Sequence, residues 1–124
     1  MAGSYNTTGY RNADGVPVVQ SQGSVTQATS ITTGVTLNAY SGAITTVSQT
    51  VAGGAEASFT VTNSKVAATD VVLACIKTHT SAGLFFVACT AVAAGSFQLT
   101  LTNLSASAGD NVLVINFIVL KAEA

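Results

Sequence analysis

The sequence predicts an all-β protein, an antiparallel and jelly-roll-like β-sandwich that follows an extended N-terminal arm. Short segments rich in Val, Thr and Phe recur from residue 24 onward, each bounded by Gly, Asn, Asp or Ser. Sustained helical periodicity is absent. Charged residues form only 7% of the 124 residues, whereas 18 Thr and 12 Ser supply hydroxyls for pleated, half-exposed surfaces. This length predicts one domain, residues 24–124, after an arm of residues 1–23.

The predicted arm differs in composition from the rest of the chain. It is polar and Gly-rich, holds the only Pro, and has no sustained period of 2 or 3.6 residues. Two interpretations stay open, a loose tail or an arm that adheres to another surface. The residues that would make such contacts are Tyr5, Tyr10, Arg11, Val16, Pro17 and Val18.

Two segments alternate between apolar and polar residues, which is typical of half-buried strands. In residues 96–103 one face would carry Phe97, Leu99 and Leu101. In residues 57–63 the inward residues would be Phe59 and Val61. Residues 30–37 and 43–47 alternate more weakly. Turns are predicted at 53–54, 63–64, 81–83, 93–95 and 109–111.

Three further segments, residues 70–76, 84–92 and 111–120, are apolar at nearly every position. A strand of this kind needs cover on both faces. The cover is either loops of the same chain or another subunit. Within 111–120 the smaller side chains form one set that could meet at a symmetry axis, where copies of a lone buried amide could satisfy each other. We expect this interface set to be Val112, Val114, Asn116 and Ile118, although the opposite assignment of faces is equally compatible with the sequence.

The residues that carry chemistry are few and scattered. His79 is the only histidine, no GxSxG motif accompanies it, and the acidic residues do not cluster. One His and two Cys match no metal-site spacing, and neither GxGxxG nor GxxxxGK[ST] occurs. We therefore expect no catalytic, metal or cofactor site, no small-molecule substrate, and no enzymatic activity.

Charge and hydropathy also argue against two classes of partner. A net charge of −1 without a basic cluster gives no basis for binding nucleic acid. No run reaches the roughly 18 apolar residues that span a bilayer, so no membrane association is expected. The polar N-terminus does not resemble a secretory signal, and we expect synthesis in a cytoplasm.

The two cysteines have two possible roles. If residues 70–92 formed a hairpin that turns near residues 81–82, Cys75 and Cys89 would lie opposite each other. They would then be either two small buried apolar residues or a cross-strand disulfide formed outside a reducing cytosol.

Four blocks of the sequence resemble a β-sandwich domain of tailed-bacteriophage structural proteins, particularly those of cyanophages and other aquatic phages. The blocks are 25–38 (VTQATSITTGVTLN), 59–72 (FTVTNSKVAATDVV), 91–97 (AVAAGSF) and 115–121 (INFIVLK). The resemblance covers roughly residues 24–121. Related domains look like capsid cement or decoration proteins in some phages and like parts of head or tail fibres in others.

If the cement role applies, the resemblance implies a homotrimer on the outer surface of the phage head, bound to the major capsid protein, with N-terminal arms that reach across neighbouring capsid subunits. The alternative is an adhesion or carbohydrate-binding module of a fibre, which would need an exposed aromatic platform. The candidates for that platform are Tyr40, Phe85 and Phe86.

Overall fold

Two four-stranded sheets pack against each other in the computed structural model, which describes residues 10–11, 13, 17–18, 22–79 and 84–122. The predicted all-β sandwich is confirmed, and the described residues include no helix. The strands are β1 (Tyr10–Arg11), β2 (Pro17–Val18), β3 (Gln22–Thr26), β4 (Val35–Thr36), β5 (Ser41–Thr45), β6 (Gln49–Val51), β7 (Glu56–Thr62), β8 (Val71–His79), β9 (Phe85–Ala93), β10 (Ser96–Asn103), β11 (Gly109–Asn111) and β12 (Leu113–Leu120).

The first sheet has the strand order β3-β5-β12-β8, and the second has the order β4-β7-β10-β9. Two short pairs, β1–β2 and β6–β11, lie outside these sheets. Most neighbours are antiparallel, but β3 runs parallel to β5 and β4 runs parallel to β7. The parallel β3–β5 pair arises because the chain leaves β3, crosses to the second sheet as β4 and returns as β5. The finer jelly-roll assignment stays a prediction.

The core is formed by the inward faces of both sheets. The alternation predicted for β7 and β10 is confirmed, since Phe59, Val61, Leu99 and Leu101 are at most 2% exposed. Phe97 of the second sheet meets Phe117 of the first with ring centroids 5.2 Å apart and planes tilted by 56°. Such tilted aromatic pairs add to the burial of their apolar area, so this contact ties the two sheets together.

Glycines permit a close approach at the β3–β5 edge of the first sheet. Gly23 and Gly42 are paired across the two strands. A β-carbon on Gly42 would lie 2.7 Å from the Leu37 Cδ2 atom and 2.8 Å from the Gly23 carbonyl oxygen. Only hydrogen fits there, so Leu37 can pack over both glycines and close this end of the core.

Two local boundaries differ from the sequence prediction. Residues 109–111 form strand β11 and not a turn, because their backbone pairs with β6. Residues 77–79 complete β8, in which Thr78 and His79 pair with Val114 and Leu113 of β12. The first strand of the main sheets begins at Gln22, two residues before the predicted start of the domain at residue 24.

Candidate interaction surface

The outer face of the first sheet changes character from one edge to the other. Pairing across the sheet places its outward residues in rows, of which the two central ones are Gln22–Ser41–Ile118–Leu73 and Ser24–Ala43–Asn116–Cys75. The β3–β5 half is therefore made of small or polar side chains. The β12–β8 half is made of apolar ones.

We call the outward residues of the β12–β8 half the apolar strip. Leu73 is 54% exposed, Val71 45% and Leu120 44%, which are large fractions for aliphatic side chains. Asn116 is the one polar member and no member is charged. The strip consists of Val71, Leu73, Cys75, Val114, Asn116, Ile118 and Leu120.

The burial of the β12 residues shows which of its two faces points into the core and which points outward. Leu113, Ile115 and Phe117 point into the core and are at most 3% exposed. Val114, Asn116 and Ile118, predicted as interface residues, lie half-buried on the outer face. Val112, the fourth predicted residue, is half-buried just before β12 begins.

Sequence reasoning did not assign the β8 side of the strip. The signal was present, because outward Val71, Leu73 and Cys75 alternate with the inward residues of the same segment. Since every residue of 71–76 is apolar, the alternation could not be read from polarity. Only the burial pattern separates the two faces.

Shallow hollows flank Asn116 on both sides. The hollow between β12 and β8, of about 200 Å³, is lined by strip residues such as Leu73, Cys75 and Ile118. The other hollow, of about 280 Å³, lies over β3 and β5, where Ser41 and Ala43 leave room beside the Asn116 amide. Neither hollow holds a charged side chain, so neither offers an ionic ligand site.

The outer face of the second sheet has the opposite chemistry. The Thr100 hydroxyl lies 2.8 Å from the Ser58 hydroxyl and 2.8 Å from that of Thr90, and Thr90 also donates to the Gln98 side-chain oxygen. These groups form a hydrogen-bonded row across β7, β10 and β9. The centre of this face is therefore polar, in contrast to the apolar strip, whereas Phe86 on the edge strand β9 is 57% exposed.

The cysteines do not form the expected hairpin pair. Strand β8 pairs with β12 and β9 pairs with β10, so Cys75 lies opposite Asn116 whereas Cys89 lies opposite Leu99. Both thiols are free, with Cys75 exposed and Cys89 half-buried. Burial raises the pKa of the Cys89 thiol, which disfavours its thiolate form.

The predicted arm is described only in part. Its residues 10–11 and 17–18 form the antiparallel pair β1–β2, in which Tyr10 is paired with Val18 and Arg11 with Pro17. Tyr5 and Val16, the other two predicted contact residues, lie outside the described residues.

The three aromatic candidates have different environments. Phe85 is a core residue, 9% exposed, whereas its neighbour Phe86 is 57% exposed. The ring of Tyr40 is half-buried beneath two ammonium groups, with Lys65 Nζ 5.8 Å and Lys121 Nζ 6.0 Å from its centroid. These cation–π contacts occupy Tyr40 with its own neighbours, so Phe86 is the more accessible ring.

Two buried amides were not singled out by sequence reasoning. Asn63 and Asn103 are fully buried, and each accepts a backbone hydrogen bond from the residue two positions ahead. Asn63 also donates to the Ala39 carbonyl at 2.7 Å, and Asn103 to that of Val51 at 3.0 Å. The signal in the sequence is the Thr-x-Thr-Asn that ends both alternating strands.

His79 is exposed at the end of β8. The described part of the chain contains no group of three or more His, Cys, Asp or Glu side chains that could hold a metal ion. A membrane-spanning helix is likewise not found in that part. Comparison of the chain with protein-family models, curated proteins and solved structures finds no match.

Proposed function

We propose that this protein is a structural virion protein, a cement protein that decorates and stabilises the outside of a tailed-phage icosahedral head as a homotrimer. The observation that carries the proposal is the apolar strip, whose aliphatic side chains stay exposed on the single chain. Contiguous apolar surface on one face of a protein typically marks an interaction site. A chain of few charges whose first sheet carries an exposed apolar strip fits permanent assembly at a surface.

Cement action requires binding to the assembled shell and not to its separate subunits. The binding free energy then adds to the stability of the shell by mass action. Three arms on one trimer would bind at high effective concentration, so weak individual contacts would suffice. The partner is the major capsid protein, and the predicted arm, residues 1–23, is the segment that we propose contacts it.

The experiment is co-sedimentation with phage heads stripped of decoration, using the full chain and a variant that lacks residues 1–20. This deletion spares β3, which begins at Gln22. We expect the full chain to saturate the heads and raise their melting temperature. The truncated chain should keep its oligomeric mass and lose binding.

A control variant tests whether a change outside the arm affects binding to the heads. Thr62→Glu changes the exposed outer face of the second sheet and should bind heads as the unaltered chain does. Full retention of binding by the truncated chain would refute the role of the arm. Failure of the full chain to bind any stripped head would refute the cement function.

The fibre-adhesion alternative is favoured by one observation, the 57% exposure of Phe86 on β9. Exposed aromatic rings can stack on sugars, although neither a second exposed ring nor a carboxylate is described beside this one. Saturable binding on a glycan array that is abolished by Phe86→Ala would replace the cement proposal with this one. Absence of glycan binding would remove the alternative.

A further inference from the structure

We draw no further inference here: the strongest candidate, the apolar cleft of about 250 Å³ between the edge strands β8 and β9, carries none because nothing in the structure shows what covers it.

Discussion

The Lys121 ammonium lies 2.5 Å from the Asp70 carboxylate and joins the end of β12 to the start of β8. Lys121 also donates to the Lys65 carbonyl at 3.0 Å, while Asp70 accepts from the Ala67 backbone N–H at 2.8 Å. The Asp70 side chain is almost wholly buried, and the Lys121 side chain is about half exposed. The pair therefore closes one end of the first sheet beside the apolar strip.

This pair predicts a loss of stability in acid. The Ala67 N–H and then Lys121 hold the pKa of Asp70 below its ordinary value of 3.8. A carboxyl whose pKa is lower in the folded state stabilises the fold above the unfolded-state pKa, and this stabilisation is lost as pH falls through the folded-state value. Denaturant unfolding at pH 7 and at several values below 4 should show the decline.

The variant Asp70→Asn should be less stable at neutral pH and should lose less stability in acid than the unaltered chain. Glu56→Gln is the control, because Glu56 is exposed on β7 and has no described ion pair. Its unfolding free energy should follow the unaltered pH profile. Identical pH profiles for Asp70→Asn and the unaltered chain would show that the pair does not couple folding to pH.

Removal of a buried amide should lower the free energy of unfolding. Asn103→Ala leaves the Val51 and Ser107 carbonyls and the Ser105 N–H without their buried partner. Loss of a satisfied buried amide costs about 1–3 kcal/mol or more in unfolding free energy. Asn38 is the matched control, because it is exposed and accepts one hydrogen bond, from the Ser64 N–H. Asn38→Ala should cost under about 1 kcal/mol, and equal costs would contradict the burial argument.

Truncation of a buried leucine and of an exposed leucine should change the free energy of unfolding by different amounts. Leu99 is fully buried, whereas Leu104, just after β10, is 57% exposed. Leu99→Ala should lower the free energy of unfolding by about 2–5 kcal/mol, because it removes buried apolar surface and leaves a cavity. Leu104→Ala should change it by about 0.5 kcal/mol or less. Chemical denaturation measures both, and a small effect at Leu99 would mean that the predicted inward face is wrong.

The free cysteines predict a simple mass measurement. Unreduced protein, unfolded and treated with iodoacetamide, should gain two alkyl groups, one at Cys75 and one at Cys89. The reason is that both thiols are free in the structure, where Cys75 lies opposite Asn116 and Cys89 lies opposite Leu99. A mass with no added group would demonstrate a disulfide.

The alternating residues were sufficient to predict much of the sandwich. Phe97, Leu99 and Leu101 point inward as their spacing indicates, because successive side chains of a strand face opposite sides. The same rule failed for 71–76, where both faces are apolar and polarity could not show which residues face outward. It also failed for the β11 segment, since a Gly-Asp-Asn sequence is typical of a turn and its strand depends on pairing with the distant β6.

The sequence by itself determined the all-β class, the inward faces of β7 and β10, and the set Val114, Asn116 and Ile118 as one side of β12. Local chemistry decides these features, because strand periodicity and β-branching act between near neighbours in the chain. Only the tertiary structure decided that β8 lies beside β12, and so joined Leu73 and Cys75 to Asn116 in one strip. Strand neighbours are chosen by contacts between residues far apart in sequence, which no local pattern encodes.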